Sequence, residues 1–232
     1  MALSSARWLG LTLLLGTGCA AEETIAHELS SLGDVPCSDA LYLGVRPDSR
    51  RCAAPACGGS FVRALNREQT TCSDGSEAAE CYVARIDLRR LGLPDEQAQQ
   101  LLSEQSRVVL VGTLRPPTRH DEGFGSLVAE RAYRGVNDTA AGATLLTTRT
   151  GIACILAPCP THQGVVVNQG RRLKVDPDFT ALQAAPDELA RALRDPENEG
   201  VLLSGRLGTQ PIPTGVDALF DVTQVYEPVI AR

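Results

Sequence analysis

The stretch Val108-Val-Leu-Val-Gly-Thr-Leu114 gives the clearest indication of the fold. Its first four residues are all apolar, so both faces of an extended chain would be buried there, as in a central β-strand. A second stretch of the same kind, Val201-Leu-Leu-Ser-Gly-Arg-Leu207, follows 93 residues later. Each is preceded by a helix-like segment that begins at a proline, Pro94 or Pro186, with acidic residues after it. We therefore expect a mainly β protein with one short helix in each half.

The repetition extends beyond these strands. Three further features recur in the same order. They are a pair of cysteines with four residues between them, an Asn after a short apolar run, and a Tyr late in a strand. The corresponding residues are Cys52–Cys57 and Cys154–Cys159, Asn66 and Asn168, and Tyr133 and Tyr226. The offset is 102 residues for the first two features and 93 for the last. Correspondences in a common order indicate an internal duplication. The change of offset places nine extra residues in the first copy, where Cys72 and Cys81 lie.

Each copy has the order strand-strand-strand-helix-strand-strand, which is that of an OB-like barrel. The expected strands are rich in β-forming residues and bounded by Gly, Pro, Asp or Asn. In the first copy they span 41–45, 61–65, 82–88, 107–114 and 127–136, with the helix at 94–104. In the second copy they span 144–148, 165–167, 173–175, 201–207 and 219–225, with the helix at 186–194. The expected fold class is thus mainly β with a minor α component, built as two tandem small β-barrels or sandwiches.

The N-terminal segment is typical of a signal peptide. Arg7 precedes an apolar run of about eight residues from Trp8 to Leu15, within the roughly 7–15 of a cleaved signal core and well short of the roughly 20 of a membrane-spanning helix. Small residues and Cys19 follow, and the segment resembles the signal peptide of bacterial lipoproteins. This resemblance implies that Cys19 carries acyl chains, palmitate among them, that attach the mature protein to a membrane. Ala20, where an Asp would retain such proteins at the inner membrane, favours the outer membrane, on either its periplasmic or its surface face.

These observations predict that the chain is divided into four parts. Residues 1–18 would be the signal peptide and 19–36 a lipidated tether. Residues 37–136 would form the first β module, with its Cys-bracketed insertion, and 137–232 the second.

Seven cysteines remain once Cys19 is assigned to lipid, and export to the envelope allows them to oxidise. The repeat favours pairing between sequence neighbours: Cys52 with Cys57, Cys72 with Cys81, and Cys154 with Cys159. A crossed pairing in the first copy, Cys52 with Cys81 and Cys57 with Cys72, stays open. Cys37 is left as the candidate unpaired cysteine.

A family resemblance rests on the cysteine motifs and their surroundings. The motifs are Arg50-Arg-Cys-x-x-Pro-x-Cys-Gly-Gly-x-Phe-Val-x-x-x-Asn66, Cys72-x-Asp-Gly75 with Cys81-Tyr-Val83, and Ala157-Pro-Cys-Pro-Thr161. They resemble an uncharacterised, duplicated Cys-rich domain family of myxobacterial secreted lipoproteins. The resemblance covers most of residues 42–229 and implies an envelope location, but no activity and no functional residues.

Charge and composition exclude several classes of function. The formal net charge is −6, Lys174 is the only lysine and 4% of residues are aromatic, so we expect no nucleic-acid partner. The cysteine pairs lack the spacing of zinc ligands, and we expect no metal and no cofactor. None of the three histidines, His27, His120 and His162, lies in a catalytic motif.

The expected function is therefore that of a non-enzymatic binding or structural module in the cell envelope. Its partners would be the membrane, through the lipid anchor, and an envelope protein or cell-wall component. One alternative is an extracytoplasmic protease inhibitor that presents Arg85 or the loop 115–120. A less favoured alternative is a hydrolase with a cryptic site at His120 or His162.

Overall fold

Short strands dominate the computed structural model, which describes residues 40–117, 124–138, 140–153, 155, 159–182, 184–193, 200–208 and 216–231. The first half holds β1 Leu41–Pro47, β2 Ser60–Ala64, β3 Thr70–Thr71, β4 Glu77–Ala78, β5 Cys81–Val83, β6 Arg85–Asp87, α1 Asp95–Ser103, β7 Val108–Arg115 and β8 Ser126–Gly135. The second half holds β9 Ala143–Arg149, β10 His162–Val166, β11 Arg172–Asp178, α2 Pro186–Ala192, β12 Val201–Leu207 and β13 Ala218–Pro228. The prediction of a mainly β fold is confirmed.

The second half closes into a small β-barrel. Its strands pair in the order β11-β10-β9-β12-β13, and β13 pairs back with β11 in parallel. The interior is a tight apolar cluster of fully buried side chains that includes Leu145, Val175, Leu203, Phe220 and Val222. This alternation of inward apolar and outward polar residues is what the period-2 pattern of the strands requires.

The first half uses the same kinds of pairing. β1 lies between β2 and β7, and β7 pairs with β8. β5 pairs with β2, and β6 pairs with β8 in parallel. The predicted strand at 82–88 is therefore two short strands interrupted at Ala84, whose N–H donates to the carbonyl of Gly125. Leu43, Val62, Leu110 and Leu127 fill the interior.

One helix packs on each half. In α1 the acidic Asp95 and Glu96 lie in the first turn, where they favour the positive end of the helix, and Leu101 is 1% exposed against the first core. In α2 the partly buried Leu189 packs against the second core. Each helix follows the third predicted strand of its half and precedes the apolar strand, β7 or β12, as the sequence predicts.

A single sheet joins the two halves. β8 pairs antiparallel with β13, with Gly135 opposite Tyr226. A third apolar cluster lies at this junction, with Val109, Tyr133, Leu202 and Tyr226 among its buried members. Residues 38–232 form one compact unit, so the halves are held by shared backbone pairing as well as by packing.

Candidate functional site

A cleft of about 360 Å³ opens between the two halves. This volume lies at the small end of the range for small-molecule sites, roughly 300–1,000 Å³. Its walls come from β1 and β2 in the first half, the turn before β7, and the beginning of β9 with parts of β12 and β13 in the second half. Polar groups from both halves therefore face one another across it.

Four arginines and one carboxylate line the cleft: Arg46, Arg63, Arg67, Arg107 and Glu80. Arg46 donates to Glu80 at 2.9 Å, and this hydrogen bond, with the charge of Arg46 and that of Arg63, lowers the pKa of Glu80. Positive charge is thus concentrated here in a chain whose formal net charge is −6.

Two of the arginines also donate hydrogen bonds to backbone carbonyls. Arg67 donates two hydrogen bonds, of 2.9 and 2.7 Å, to the carbonyl of Asn168. Arg107 donates to the carbonyls of Gly135 at 2.7 Å and Val136 at 3.1 Å. These carbonyls fix the guanidinium groups in place without neutralising their charge. Arg107 also lies 3.4 Å from Asp138, a largely exposed carboxylate.

Arg63 differs from the other three arginines of the cleft in having no bonded partner among the described residues. Its neighbours in β2, Val62 and Ala64, are buried, while Arg63 is exposed on the opposite face of the strand. Within the described part of the chain, the Arg63 side chain donates no hydrogen bond and forms no ion pair. Its electrostatic contacts are with Glu80 and Tyr226, which places its charge over the cleft.

Three connected hydroxyl groups lie at the bottom of the cleft. The Oγ1 of Thr144 lies 2.7 Å from the Oγ of Ser204, which lies 3.2 Å from the hydroxyl of Tyr226. All three residues are buried, at 4%, 2% and 4% exposure. Burial raises the pKa of Tyr226, against the hydrogen bond between Tyr226 and Ser204 and the charge of Arg63. The phenol is therefore protonated at neutral pH and can donate a hydrogen bond.

Two asparagines lock the halves together beside the cleft. Asn66 lies at φ 59° and Asn168 at φ 62°, a conformation that Asn tolerates better than most residues. The Asn66 amide accepts from the N–H of Thr144 at 2.8 Å and donates to the carbonyls of Thr144 and Val167 at 2.7 and 3.0 Å.

Asn168 makes the reciprocal set of bonds. Its amide accepts from the N–H of Tyr42 at 2.9 Å and donates to the carbonyls of Tyr42 and Leu65 at 2.8 and 2.9 Å. Each amide thus bonds the N–H and the carbonyl of one residue in the first strand of the opposite half, as the backbone of a neighbouring strand would. The sequence pattern marked both asparagines as recurrent but assigned them only to strand ends.

The structure joins Cys52 to Cys57 and Cys72 to Cys81, which is the local pairing rather than the crossed one. The Cys72–Cys81 bond joins the residue after β3 to the first residue of β5. The hairpin formed by β3 and β4 is an element that the sequence analysis did not predict. Cys159 is disulfide-bonded. The remaining predicted positions, Cys19, Cys37 and Cys154, lie outside the described residues.

His162 is not part of the cleft wall. His27 and His120 lie outside the described residues, as do residues 118–120 of the loop 115–120. His162 lies in β10, and burial and the charge of Arg149 lower its pKa, against the charge of Asp176. The carboxylate of Asp176 accepts from the N–H of Cys159 at 2.9 Å and from the hydroxyl of Thr161 at 3.2 Å, so it braces the turn before β10. Arg85, the reactive residue of the inhibitor alternative, lies in β6 and pairs with β8.

Within the described ranges, no group of three or more His, Cys, Asp or Glu side chains is placed to hold a metal ion. Among the same residues, no helix has the length and apolar character needed to cross a membrane.

The sequence analysis missed the cleft arginines and hydroxyls. One signal was present: Ser204 breaks the apolar run of the second repeated stretch at the position where the first has Val111. A buried polar residue in a strand that otherwise requires apolar side chains is the more informative observation. The arginines carried no signal of their own, because they are distant in sequence and only the folded first half, in which β1 pairs with β2, brings them to one cleft.

The comparisons with known proteins give one match. The family model described as a domain of unknown function, DUF6748, matches residues 41–232. No curated protein and no solved structure shows significant similarity to the chain.

Proposed function

We propose that this chain, which belongs to the DUF6748 family, is a non-enzymatic binding module of the cell envelope, anchored by lipid at Cys19. The observation that carries the binding role is the cleft between the halves, with its arginine rim and hydroxyl floor. The N-terminal pattern of charge, apolar run and cysteine supports the anchor and the outer membrane as the location.

Rigidity supports a binding role. The cleft walls are strands held by ladder hydrogen bonds, by the reciprocal amides of Asn66 and Asn168, and by the Cys52–Cys57 clasp near the end of β1. A site whose walls are fixed before the ligand arrives loses less conformational entropy on binding. The chemistry of the lining supports binding rather than bond cleavage. The arginines and hydroxyls are hydrogen-bond donors, and Glu80, the carboxylate of the lining, is bonded to Arg46, which lowers its pKa and makes it a weaker base.

We also infer that the chain is an internal duplication of an OB-like barrel. In each half the first strand pairs with the second and fourth, and the fourth with the fifth: β1 with β2 and β7, β7 with β8; β9 with β10 and β12, β12 with β13. The third strand, or its second part, pairs with the fifth in parallel, as β6 does with β8 and β11 with β13. This pairing pattern supports two tandem modules of OB-like order.

The anchor is tested by acylation. Cells that produce the full chain are grown with labelled palmitate, and the label is measured on the purified protein. We expect the label on the unmodified chain and on the Cys37→Ser control, and its loss in Cys19→Ser together with release from the outer-membrane fraction. Label that persists in Cys19→Ser would contradict the anchor.

The binding role is tested by photo-cross-linking in the same cells. A benzophenone amino acid is placed at Ala141, an exposed residue of the cleft rim, and at Arg172, an exposed residue outside the cleft. We expect a discrete cross-linked product from position 141 and not from position 172. Equal products from both positions, or none, would overturn the proposal. Inhibition of a trypsin-like protease by micromolar purified protein would instead favour the inhibitor alternative.

A further inference from the structure

The two halves are unequal at corresponding positions of their junction. In the first half Tyr42 lies opposite Val111 in the β1–β7 pairing, and in the second half Thr144 lies opposite Ser204 in the β9–β12 pairing. The next strand contributes a buried tyrosine to each, Tyr133 or Tyr226. The first half therefore has the tyrosine ring and the valine side chain where the second half has two small side chains that carry hydroxyl groups.

This difference explains why the cleft lies on one side. The ring of Tyr42 stacks on that of Tyr133, with 6.4 Å between centroids and 25° between planes. At the corresponding place in the second half, the smaller Thr144 covers less of its surroundings, and its hydroxyl joins those of Ser204 and Tyr226. A tyrosine and a valine at these positions would fill the space with apolar side-chain atoms, as Tyr42 and Val111 do in the first half. The open version exposes hydrogen-bonding groups to a ligand.

The hydroxyl chain has a hydrogen to spare. Three hydroxyl groups carry three hydrogens, and the two contacts among Thr144, Ser204 and Tyr226 use two of them. The third is left for an acceptor outside the chain. The guanidinium of Arg63, on the facing wall, likewise donates to no partner in the described residues and carries a full positive charge. Both walls of the cleft thus offer donors to a ligand that supplies acceptors and negative charge.

We propose that the cleft binds an oxyanion, a phosphate or carboxylate group, between Arg63 and the hydroxyl chain of Thr144, Ser204 and Tyr226. Arginine binds such groups through paired hydrogen bonds, and its planar fork matches both chemistries. Arg46, Arg67 and Arg107 raise the local potential and are already held by their own partners. A volume of about 360 Å³ exceeds that of an inorganic phosphate, so the ligand carries the anion on a larger body. The inference rests on the proposed binding role and names its ligand class.

Isothermal titration calorimetry of the full-length lipidated protein in a non-ionic detergent tests it. The probes are inorganic phosphate, citrate and tripolyphosphate, with glucose as the neutral control. We expect one-to-one binding of at least one anionic probe, weaker at 200 mM than at 50 mM salt, and no binding of glucose. Preference for citrate identifies a carboxylate site, preference for phosphate a site for a single phosphate group, and preference for tripolyphosphate a site for an extended polyanion.

Variants assign the binding to the cleft. Arg63→Gln removes a charge-assisted donor, and we expect affinity to fall about tenfold or more. Ser204→Ala interrupts the hydroxyl chain and weakens binding several-fold. The matched control, Arg172→Gln, removes the same charge outside the cleft and leaves affinity unchanged. Thermal melting of each variant checks that the fold is intact, which the exposure of Arg63 and Arg172 favours.

Three results would overturn the inference. They are no saturable binding of any anionic probe up to millimolar concentration, equal affinity of Arg63→Gln and the unmodified protein, and equal loss in Arg172→Gln. A cross-link from position 141 combined with any of them would leave the binding role standing and refute the ligand class alone.

Discussion

Replacing Asn168 by alanine should loosen the junction of the two halves. Its amide makes three hydrogen bonds to the first half, of 2.8 to 2.9 Å, and each contributes about 0.5–1.5 kcal/mol net. Their loss costs about 3 kcal/mol. Alanine at a φ of 62° adds about 1 kcal/mol of backbone strain. We expect the free energy of unfolding to fall by about 4 kcal/mol.

Urea denaturation at 25 °C, followed by far-ultraviolet circular dichroism, measures this loss. Asn168→Gly is the matched control: it removes the same hydrogen bonds and accepts a positive φ, so it should lose about 1 kcal/mol less than Asn168→Ala. Asn66→Gly combined with Asn168→Gly should depart from additivity by at least about 0.5 kcal/mol, because both amides hold one junction. A loss below about 1 kcal/mol in Asn168→Ala at an unchanged urea dependence would refute the interlock.

Three further perturbations test other parts of the fold. The double variant Cys72→Ser, Cys81→Ser opens a loop of about ten residues and should cost about 2–3 kcal/mol of unfolding free energy by denaturation. The hydrogen bonds and charge of Arg89 lower the pKa of Asp87 to about 2. Because the ionised carboxylate stabilises the fold fully only at pH values above its ordinary pKa, this stabilisation is lost as the pH falls through the lowered value. The difference in unfolding free energy between the unmodified protein and Asp87→Asn should therefore disappear between pH 4 and pH 2. Phe220→Ala empties a site at 0% exposure and should cost about 3–5 kcal/mol by thermal or urea unfolding.

Each of these has a contradicting result. Unchanged stability of the cysteine double variant under oxidising conditions would show that the clasp does not constrain the hairpin. An advantage over Asp87→Asn that grows as the medium is acidified would reverse the predicted sign. A loss below about 1 kcal/mol for Phe220→Ala would contradict its place at the centre of the closed barrel.

The strands and helices followed from local pattern. The run Val108 to Val111 is buried throughout, as its unbroken apolar character predicts, and the helix predicted at 94–104 is observed as Asp95–Ser103. The hairpin of β3 and β4 was missed because its two-residue strands are too short to show a period. The break at Ala84 was missed because it depends on a hydrogen bond to the distant Gly125.

The cleft is a product of tertiary structure. Arg63 lies in β2 and Ser204, 141 positions later, in β12. These strands line one cleft only when both halves have folded. The asparagines recur at a fixed offset, which marked them as structural, but their reciprocal bonds depend on how one half turns toward the other. The sequence could indicate that the halves are alike; the differences that open the cleft, Thr144 for Tyr42 and Ser204 for Val111, become informative only once the junction is known.

A ligand bound in the cleft beside Arg63 changes the surroundings of the Arg63 guanidinium group. Nuclear magnetic resonance of the arginine Nε–H groups, in protein labelled with ¹⁵N, detects this change during titration with the anionic probe that binds most tightly. Arg63→Gln assigns the Arg63 signal, and Arg172→Gln assigns a control signal outside the cleft. We predict that the Arg63 signal shifts to saturation with the calorimetric affinity while the Arg172 signal stays in place. A saturating shift at Arg172 with an unchanged Arg63 signal would contradict the account.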